Sequence, residues 1–321
     1  MRSQLLRCNT RAILLALLVM AFISPSAVPQ TQQVLPSKQT PEKQKGFSTP
    51  QLAAAALIKA VENYDVPQLL QILGPNGNDF IASADPVRDK DLAQKFADKA
   101  HEKNSVTVNK TKATLLVGNE NWPMPIPIIL KAGGWYFDTE AGRKEILFRR
   151  IGSNELDAIR ICRGFVEAQQ EYARTLHDGS VIHEYARKII STPGKQDGLF
   201  WNNPDGSAAG PISLPVARAI EEGYSTASPS PYHGYFFKVL KGQGANAPLG
   251  RLEYDIHGTM IGGFALVAVP AEYRVTGVKT FMVNHYGIVY EKDLGPDSLK
   301  IVKDMELFNP DKTWSQTNDG Q

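Results

Sequence analysis

Cysteine is nearly absent from this chain of 321 residues, which has thiols only at Cys8 and Cys162. Cys8 lies in an N-terminal leader that we expect to be removed, so one thiol remains in the product. A single thiol excludes an intramolecular disulfide and a metal site built from several cysteines. Cys162 falls on the apolar face of a predicted helix, which favours a buried, inert thiol over a reactive nucleophile.

Long hydrophobic runs are also lacking, apart from one near the N-terminus. Three arginines precede the apolar run 12–23, and Ser-Pro-Ser-Ala follows it at 24–27. A bilayer span needs about 20 apolar residues, so this shorter run predicts a signal peptide over residues 1–27, cleaved after Ala27 or Ser26. The predicted product is exported to the periplasm or the extracellular space and has no stable membrane span.

No excess of one charge remains after this cleavage. The leader carries three of the 35 basic residues and none of the 33 acidic ones, which leaves 32 against 33 and a net charge of −1. Because nucleic-acid binding needs a clustered basic face, we expect no nucleic-acid partner. Residues 28–47 are rich in Gln, Pro and Lys, and such a segment buries too little apolar surface to fold. We predict a disordered linker there.

Familiar catalytic motifs are missing as well. The chain has six histidines, but the pair His183-Glu184 is followed by Arg187 where a zinc-binding helix would place its second histidine. No Gly-x-Ser-x-Gly motif marks a nucleophilic serine. We therefore expect neither a metal nor a cofactor.

The first folded segment, residues 48–152, combines helical and strand patterns. Apolar residues at helical spacing predict helices that begin near Ser48, Asp65 and Asp85, with Ser48 and Gln51 as a capping box. Five short runs then predict antiparallel strands: SVTVNK, ATLLVG, PIPIILK, GWYFDT and EILFRR. Helices followed by such a meander predict a cone-like α+β domain with the helices on one face of a curved sheet.

The second segment, residues 153–314, repeats this composition. A long helix capped by Ser153 or Asn154 is followed by a short helix over 214–222 and five predicted strands, namely GYFFKVL, LEYDI, GGFALVAVP, KTFMVN and GIVYEKDL. The predicted fold class is therefore α+β with two domains, each with helices packed on an antiparallel sheet. Residues 315–321 are predicted to be a flexible tail.

Long motifs in both segments resemble a known family. The stretches GGWYFDTEAGRKEILFRRIGSNELDAI, STPGKQDGLFW, PYHGYFFKVLKGQGANAP and MIGGFALVAVPAEYRVTGVKTFMVNHYGIVYEKDLG resemble exported bacterial proteins catalogued as domain of unknown function 2950. This resemblance implies an envelope or secreted location and no established activity. In addition, the first half resembles the nuclear transport factor 2 superfamily, and the second half resembles the globular heads of pseudopilins.

Aromatic and ionisable residues near turns suggest a binding groove. The candidate groove residues are Trp122, Trp135, Asp138, His183, Glu184, Asp197, Trp201 and Tyr235. Trp122 is the leading one because it lies at the Pro-rich tip of a predicted hairpin. The alternative for each ring is that it fills a core. The segment 183–201 has a structural alternative too, in which its polar residues form turns that anchor the long helix to the sheet.

Two function hypotheses follow. The first is a non-enzymatic binding or interaction module of the cell envelope, with an envelope protein, a peptide or a glycan as its partner. The second is an envelope hydrolase or carbohydrate-modifying enzyme with a site between the two domains, such as a pair of carboxylates facing each other across a glycosidic bond. An enzyme predicts that two or more of Asp138, His183, Glu184 and Asp197 lie within about 4–6 Å of one another.

Overall fold

The structure is a computed structural model that describes residues 43–81, 86–222 and 231–318. The predicted signal peptide, Cys8 and residues 28–42 of the predicted linker lie outside the described residues. So do residues 319–321 of the predicted tail. None of the described helices combines the length and the apolar character that a membrane span requires.

The helices begin where the sequence supplies caps. The Thr49 hydroxyl accepts a hydrogen bond from the Leu52 amide (3.2 Å), so Thr49 replaces the predicted Ser48 as N-cap, because its oxygen is the one that reaches the first turn. Asp65 Oδ1 accepts from the Gln68 amide (3.0 Å), as its position predicted. The helices are α1 (Pro50–Glu62), α2 (Val66–Leu73), α3 (Asn78–Ile81), α4 (Pro86–Glu102), α5 (Thr139–Tyr172), α6 (Leu214–Glu222) and α7 (Ser298–Asp304).

An antiparallel sheet follows α4. Its strands are β1 (Asn104–Asn109), β2 (Lys112–Val117), β3 (Trp122–Pro123), β4 (Ile128–Lys131) and β5 (Gly134–Phe137). They are ordered β1-β2-β4-β5, with β3 paired to the end of β2. Side chains of α1 and α2 pack on one face of this sheet to form the first core, in which Leu57, Leu115 and Phe137 are fully buried. The predicted α+β arrangement of helices and antiparallel strands is confirmed here.

The fifth predicted strand, EILFRR, is wrong, because residues 145–150 belong to α5. This helix has 34 residues and starts at its N-cap Asp138, so neither Ser153 nor Asn154 caps it. It also crosses the predicted domain boundary between residues 152 and 153 without a break. The apolar run that favoured a strand is partly solvent-exposed on the helix surface, where Ile146 and Phe148 are 39% and 63% exposed.

Beyond α5, the described residues form a second antiparallel sheet and three small ones. The strands are β6 (Lys188–Ile190), β7 (Gly198–Asn202), β8 (Ala208–Ala209), β9 (Tyr235–Leu240), β10 (Gly242–Gln243), β11 (Leu252–Glu253), β12 (Asp255–Ile256), β13 (Thr259–Met260), β14 (Ala265–Pro270), β15 (Thr280–Asn284), β16 (Tyr290–Lys292), β17 (Leu307–Phe308) and β18 (Ser315–Gln316). The main sheet has the order β18-β16-β15-β14-β9. The predicted strand LEYDI lies outside it, since β11 and β12 pair in smaller sheets.

The second core lies between this main sheet and α5. The strands β14 and β15 are buried along their whole length, as expected for strands covered on both faces. Cys162 of α5 lies in this core and is fully buried, as its position on the apolar face predicted. Two of the small sheets contain parallel pairs, β6 with β7 and β10 with β17, which the sequence did not predict.

Both ends of the described chain are more ordered than the sequence predicted. The amide of Phe47 donates to the Trp135 carbonyl (2.9 Å), and the Trp135 amide donates back to Phe47 (2.7 Å). The side-chain amide of Gln44 donates to the carbonyls of Ile72 and Phe137. At the other end, Ser315 and Gln316 form β18. Residues 44–47 and 315–317 therefore belong to the fold, because their polar groups find partners in it.

Candidate functional site

Three of the predicted groove residues have structural roles. Asp138 caps α5 by accepting from the Ala141 amide (3.1 Å). Trp135 lies in β5 and pairs through its backbone with Phe47. Tyr235 is only 1% exposed, and its hydroxyl donates to the Lys279 carbonyl (2.8 Å) in the second core. None of these three residues lines a cleft described below.

Glu184 and Asp197 both line one cleft, which we call the charged cleft. It has a volume of about 610 Å³ and is lined by Tyr172, Glu184, Tyr185, Arg187, Lys188, Asp197, Val239, Leu240, Lys241, Tyr254, Asp255, Gly258 and Met260. His183 is not among the lining residues, and its Nδ1 lies 2.9 Å from the Ala173 carbonyl. Of the four ionisable groups that an enzyme was predicted to bring together, two line one cleft.

The carboxylate of Asp197 accepts hydrogen bonds from nearby residues of β6 and of the turn that follows it. Its Oδ1 accepts from the Thr192 amide (2.7 Å), and its Oδ2 accepts from Lys188 Nζ and the Thr192 hydroxyl (both 2.8 Å). Partial burial raises the pKa of Asp197, but these donors outweigh it and bring the pKa down to about 2. A carboxylate with both oxygens engaged in this way holds the turn between β6 and β7.

The other charges of this cleft are also paired or bonded. Arg187 lies 3.0 Å from Asp255, and Glu184 accepts from the Met260 amide (3.2 Å). The Tyr172 hydroxyl donates to the Gln196 carbonyl (2.7 Å). Burial raises the pKa of Tyr172, the nearby carboxylates raise it by a smaller amount, and together they bring it to about 12. The phenol therefore stays protonated at neutral pH and acts as a donor.

A second depression, the apolar cavity, lies between the helices and the first sheet. Its volume is about 260 Å³. All of its lining residues except Asp89 have apolar or aromatic side chains, and they are Leu57, Val61, Tyr64, Leu69, Leu73, Phe80, Ile81, Asp89, Leu92, Ala93, Phe96, Trp122, Met124, Pro125, Ile126 and Ile146. Of the predicted groove residues, it contains Trp122.

Helical spacing explains why these side chains converge. Leu57 and Val61 are four residues apart on α1, and Leu69 and Leu73 are four apart on α2, so each pair lies on one helix face. On α4 the same spacing relates Leu92 to Phe96. The strand β3 and the following proline-rich loop close the cavity from the sheet side. The helical spacing is visible in the sequence, but nothing in the sequence indicates that a gap remains between the helices.

The rim of the apolar cavity exposes large apolar side chains. Leu92 is 53% exposed, Trp122 is 45% exposed and Ile146 is 39% exposed. Trp122 is held in place by Arg149, whose guanidinium carbon lies 5.2 Å from the centre of the ring. Arg149 in turn donates to the Pro123 carbonyl (2.8 Å) and pairs with Glu145 (2.8 Å). The indole is thus positioned at the rim by its own neighbours.

A third depression, the Trp201 cleft, lies beside the turn between β6 and β7. Its volume is about 620 Å³, and residues 190–196 and 200–204 line it. The lining consists of an indole, a few other apolar side chains, and mainly neutral hydroxyl and amide groups. Trp201 is half-buried on β7, where its backbone faces Ala209. The sequence places Trp201 among the candidate groove residues and Asn202 and Asn203 directly after it, but it gives no indication that Ser191 and Gln196 line the same cleft.

The histidines do not form a metal centre in the part of the chain that the structure describes. No group of three or more His, Cys, Asp or Glu side chains there is arranged to hold a metal ion. The nearest approach of a histidine to a carboxylate is between His233 and Asp157, where Nδ1 and Oδ2 lie 2.5 Å apart. His233 occupies a tight turn with a positive φ of 49°. The pair therefore ties the turn before β9 to α5.

The thiol of Cys162 is buried and unreactive. Burial raises the pKa of its thiol to about 12, although the charge of Arg163 opposes the increase. Because the thiolate is the nucleophilic form, almost none of this side chain is reactive at neutral pH.

Comparison with known proteins identifies the family. A family model described as a protein of unknown function, DUF2950, matches residues 44–317. No curated protein and no solved structure gives a significant match. The resemblances to the nuclear transport factor 2 superfamily and to pseudopilin heads therefore stay predictions. Since the match spans both sheets and begins and ends close to the limits of the described fold, the chain belongs to the DUF2950 family.

Proposed function

We propose that this protein is an exported, non-enzymatic binding module whose apolar cavity receives an apolar side chain of a peptide or protein partner in the cell envelope. The observation that carries the proposal is the apolar cavity together with its exposed rim. A water-filled apolar cavity of this kind is unfavourable, and an apolar group that enters it is removed from water. The cavity therefore favours an apolar ligand over a polar one.

The size of the cavity narrows the choice of ligand. Its volume of about 260 Å³ lies below the 300–1,000 Å³ that is typical for drug-sized ligands. An engineered apolar cavity of about 150 Å³ is known to hold benzene. The cavity is therefore suited to a single large aliphatic or aromatic side chain.

The rim extends the contact beyond that one group. Leu92, Trp122 and Ile146 would remain in water if a small molecule filled only the cavity. A peptide that inserts one side chain and lies across the rim would cover them as well. This arrangement, an anchor in a pocket surrounded by apolar contacts, is the usual energetic centre of a protein interface.

Export is the second part of the proposal. It rests on the basic, apolar and small-residue pattern of residues 1–27, which lie outside the described residues. An exported chain would meet its partner in the periplasm or outside the cell. Detection of a processed N-terminus after Ser26 or Ala27 on protein secreted by the native cell tests this part.

The alternative, an envelope hydrolase or carbohydrate-modifying enzyme, would use the charged cleft. Its two predicted carboxylates both line that cleft. However, Asp197 already accepts one hydrogen bond from Lys188 of β6 and two from Thr192 of the turn, and Glu184 accepts one from Met260. These contacts favour a structural role for the pair over an attack on a substrate.

Selection from a peptide library, followed by variants of α4, tests the binding proposal. We expect the selected peptides to share one large apolar residue. Ala93→Phe places a ring in the cavity and should weaken binding of a selected peptide about 10- to 100-fold, since burial of the anchor is worth about 1.5–3 kcal/mol. Gln94→Phe is the control, because residue 94 is exposed on the same helix and does not line the cavity.

Two results of this experiment would contradict the proposal. One is a set of selected peptides without a common apolar residue. The other is equal binding by the wild type and Ala93→Phe, because the filled cavity could then play no part in recognition.

A further inference from the structure

The outer side of β1 is a free edge of the first sheet. β1 is the first strand in the order β1-β2-β4-β5, and no described strand pairs with its outer side. The opposite edge of the sheet is occupied, because Phe47 and Trp135 of β5 exchange two backbone hydrogen bonds there. β1 therefore offers its residues Asn104–Asn109 to a strand of another chain.

The backbone groups of β1 alternate between β2 and the free edge. The Gly118 amide donates to the Lys103 carbonyl (2.9 Å), and this bond continues the register of β1 with β2. Hydrogen-bonded and non-hydrogen-bonded pairs alternate in an antiparallel ladder, so the odd-numbered residues of β1 bond to β2. The amides and carbonyls of the even-numbered residues point away from β2 and have no described backbone partner. These residues are Asn104, Val106 and Val108.

This edge lacks the features that normally prevent strands of different molecules from pairing. Native edge strands usually carry charged residues, a proline or a bulge. The sequence NSVTVN of β1 has no charge and no proline, and its continuous register with β2 contains no bulge. Val106 is partly buried, and the other residues of the strand are exposed. Another strand can therefore approach the outward-facing backbone groups.

The sequence of β1 is complementary to a second copy of itself that runs antiparallel. A two-fold axis at Val106 places Asn104 opposite Val108 of the second copy, and Val106 opposite its own equivalent. All three outward-facing residues then exchange backbone hydrogen bonds, about six in total. On the other face of the strand, Ser105 lies opposite Thr107 of the second copy, and such hydroxyl pairs stabilise neighbouring strands.

The charges at the two ends of β1 favour this antiparallel arrangement. Glu102 is the last residue of α4, and Lys110 directly follows β1. Antiparallel pairing about Val106 brings Glu102 of each copy near Lys110 of the other, in addition to the contact of Glu102 with Lys99 of its own copy (3.2 Å). Parallel pairing would instead bring Lys103 and Lys110 near their own equivalents, and like charges opposite each other are unfavourable.

We infer that this protein forms a two-fold dimer in which the β1 strands of two copies pair antiparallel about Val106 and join the two first sheets into one. The same edge is used by both copies, so the contact closes as a dimer and does not continue into a fibre. The strand β1 contributes no residue to the apolar cavity. The inference therefore does not depend on the proposed peptide binding.

Sedimentation velocity of the mature chain tests the inference. We expect a reversible monomer–dimer equilibrium between about 1 µM and about 1 mM, since a contact of this small size is typical of weak association. Circular dichroism of each variant below confirms that the monomer is folded.

Two double variants form a matched pair. Ser105 and Thr107 are exposed, so charged residues should be tolerated there in the monomer. Ser105→Lys with Thr107→Lys places lysines opposite each other across the interface and should weaken the dimer about 10-fold. Ser105→Lys with Thr107→Glu places each lysine opposite a glutamate of the other copy, and the dimer should be at least as stable as in the wild type.

Hydrogen exchange of single amides, followed by nuclear magnetic resonance, tests the register. The amides of Asn104, Val106 and Val108 bond only across the interface in the proposed dimer. Their exchange should therefore slow about 10-fold when most of the protein is dimeric, and this protection should be lost in Ser105→Lys with Thr107→Lys. The Thr107 amide is the internal reference, because it bonds to β2 in the monomer and in the dimer.

Four outcomes would overturn the inference. The first is a wild type that stays monomeric up to about 1 mM, which is too weak for a specific dimer. The second is a dimer that both double variants preserve, because its interface would then lie elsewhere. The third is a dimer that both folded double variants lose equally, since opposite charges would then not face each other. The fourth is a monomer whose outward amides are protected only by an added extended peptide, which would assign the edge to a peptide partner.

Discussion

Gln169 joins the longest helix to the segment that follows it. It lies within α5, is 1% exposed, and its side-chain amide donates to the Ala186 carbonyl (3.0 Å) while its oxygen accepts from the Ala186 amide (2.8 Å). One side chain thus satisfies both backbone groups of a buried residue. This contact supports the interpretation, made from the sequence, that the segment 183–201 anchors the long helix. The sequence suggested that role for the segment but did not identify Gln169 as the residue that performs it.

Replacement of Gln169 should therefore destabilise the protein strongly. Gln169→Leu keeps the volume of the side chain but leaves the buried amide and carbonyl of Ala186 without partners. We expect the free energy of unfolding to fall by about 2–4 kcal/mol, since each unsatisfied buried group costs about 1–3 kcal/mol. Urea denaturation followed by circular dichroism measures the change.

The neighbouring Gln170 provides the matched control. It lies on the same helix but is exposed. Gln170→Leu should change the free energy of unfolding by less than about 0.5 kcal/mol, as is usual for surface positions. Equal losses in the two variants would show that the bonds to Ala186 contribute little to stability.

At the scale of elements, local signals predicted most helices, including the C-terminal part of α5, and failed at the N-terminal part of α5. The apolar spacing, with Ser48 and Asp65 near the starts of α1 and α2, predicted those two helices. In α5, the run EILFRR looks like a strand because apolar residues follow one another without helical periodicity. Ser153 and Asn154 then resemble the N-cap of a new helix. The structure continues the helix through them, because packing of the later turns on β14 and β15 outweighs these weak local preferences.

Two glycines of α5 should respond in opposite ways to alanine. A Cβ at Gly152 would meet no heavy atom within 4 Å, whereas a Cβ at Gly142 would lie 2.6 Å from Ile126 Cγ1 and 3.1 Å from Ile126 Cα. Gly152→Ala should raise the free energy of unfolding by about 0.5–1 kcal/mol, because alanine is the better helix former. Gly142→Ala should lower it by about 1–3 kcal/mol through overpacking.

Urea denaturation of both variants measures this difference. The sign of each change in the free energy of unfolding is the informative quantity, since the two substitutions are chemically identical and lie on one helix. A stabilising effect at both positions would mean that α5 and Ile126 are not in close contact.

At the scale of the whole molecule, two cores are linked by one helix. The first core uses residues between Ala53 and Phe137, and the second uses residues between Ala158 and Phe308. The helix α5 begins at the edge of the first core and crosses into the second. Residue patterns predicted an α+β composition for both halves. They did not predict a rigid element that runs through the proposed boundary, because helix continuity depends on packing at both ends.

The candidate sites were predictable only in part, for the same reason. Trp122 and Trp201 were recognised as candidate groove residues from their positions near turns. The distant partners of Trp122 could not be recognised, since Leu57 and Leu69 approach it only after folding. The residues that line the Trp201 cleft lie close to Trp201 in the sequence, but the sequence does not record the space between them. A cavity is a defect in packing between elements, and no local pattern records the space left between them.

Nuclear magnetic resonance of methyl groups, with indole as the added probe, tests the central claim that the apolar cavity receives an apolar group. We expect saturable shifts at the methyls of Leu92, Ile126 and Ile146, and their loss in Ala93→Phe. The methyls of Leu130 and Ile256, which are 41% and 40% exposed but lie outside the cavity, should not move. Indole shifts of equal size at cavity and control methyls, or none at the cavity up to the solubility limit of indole, would contradict the account.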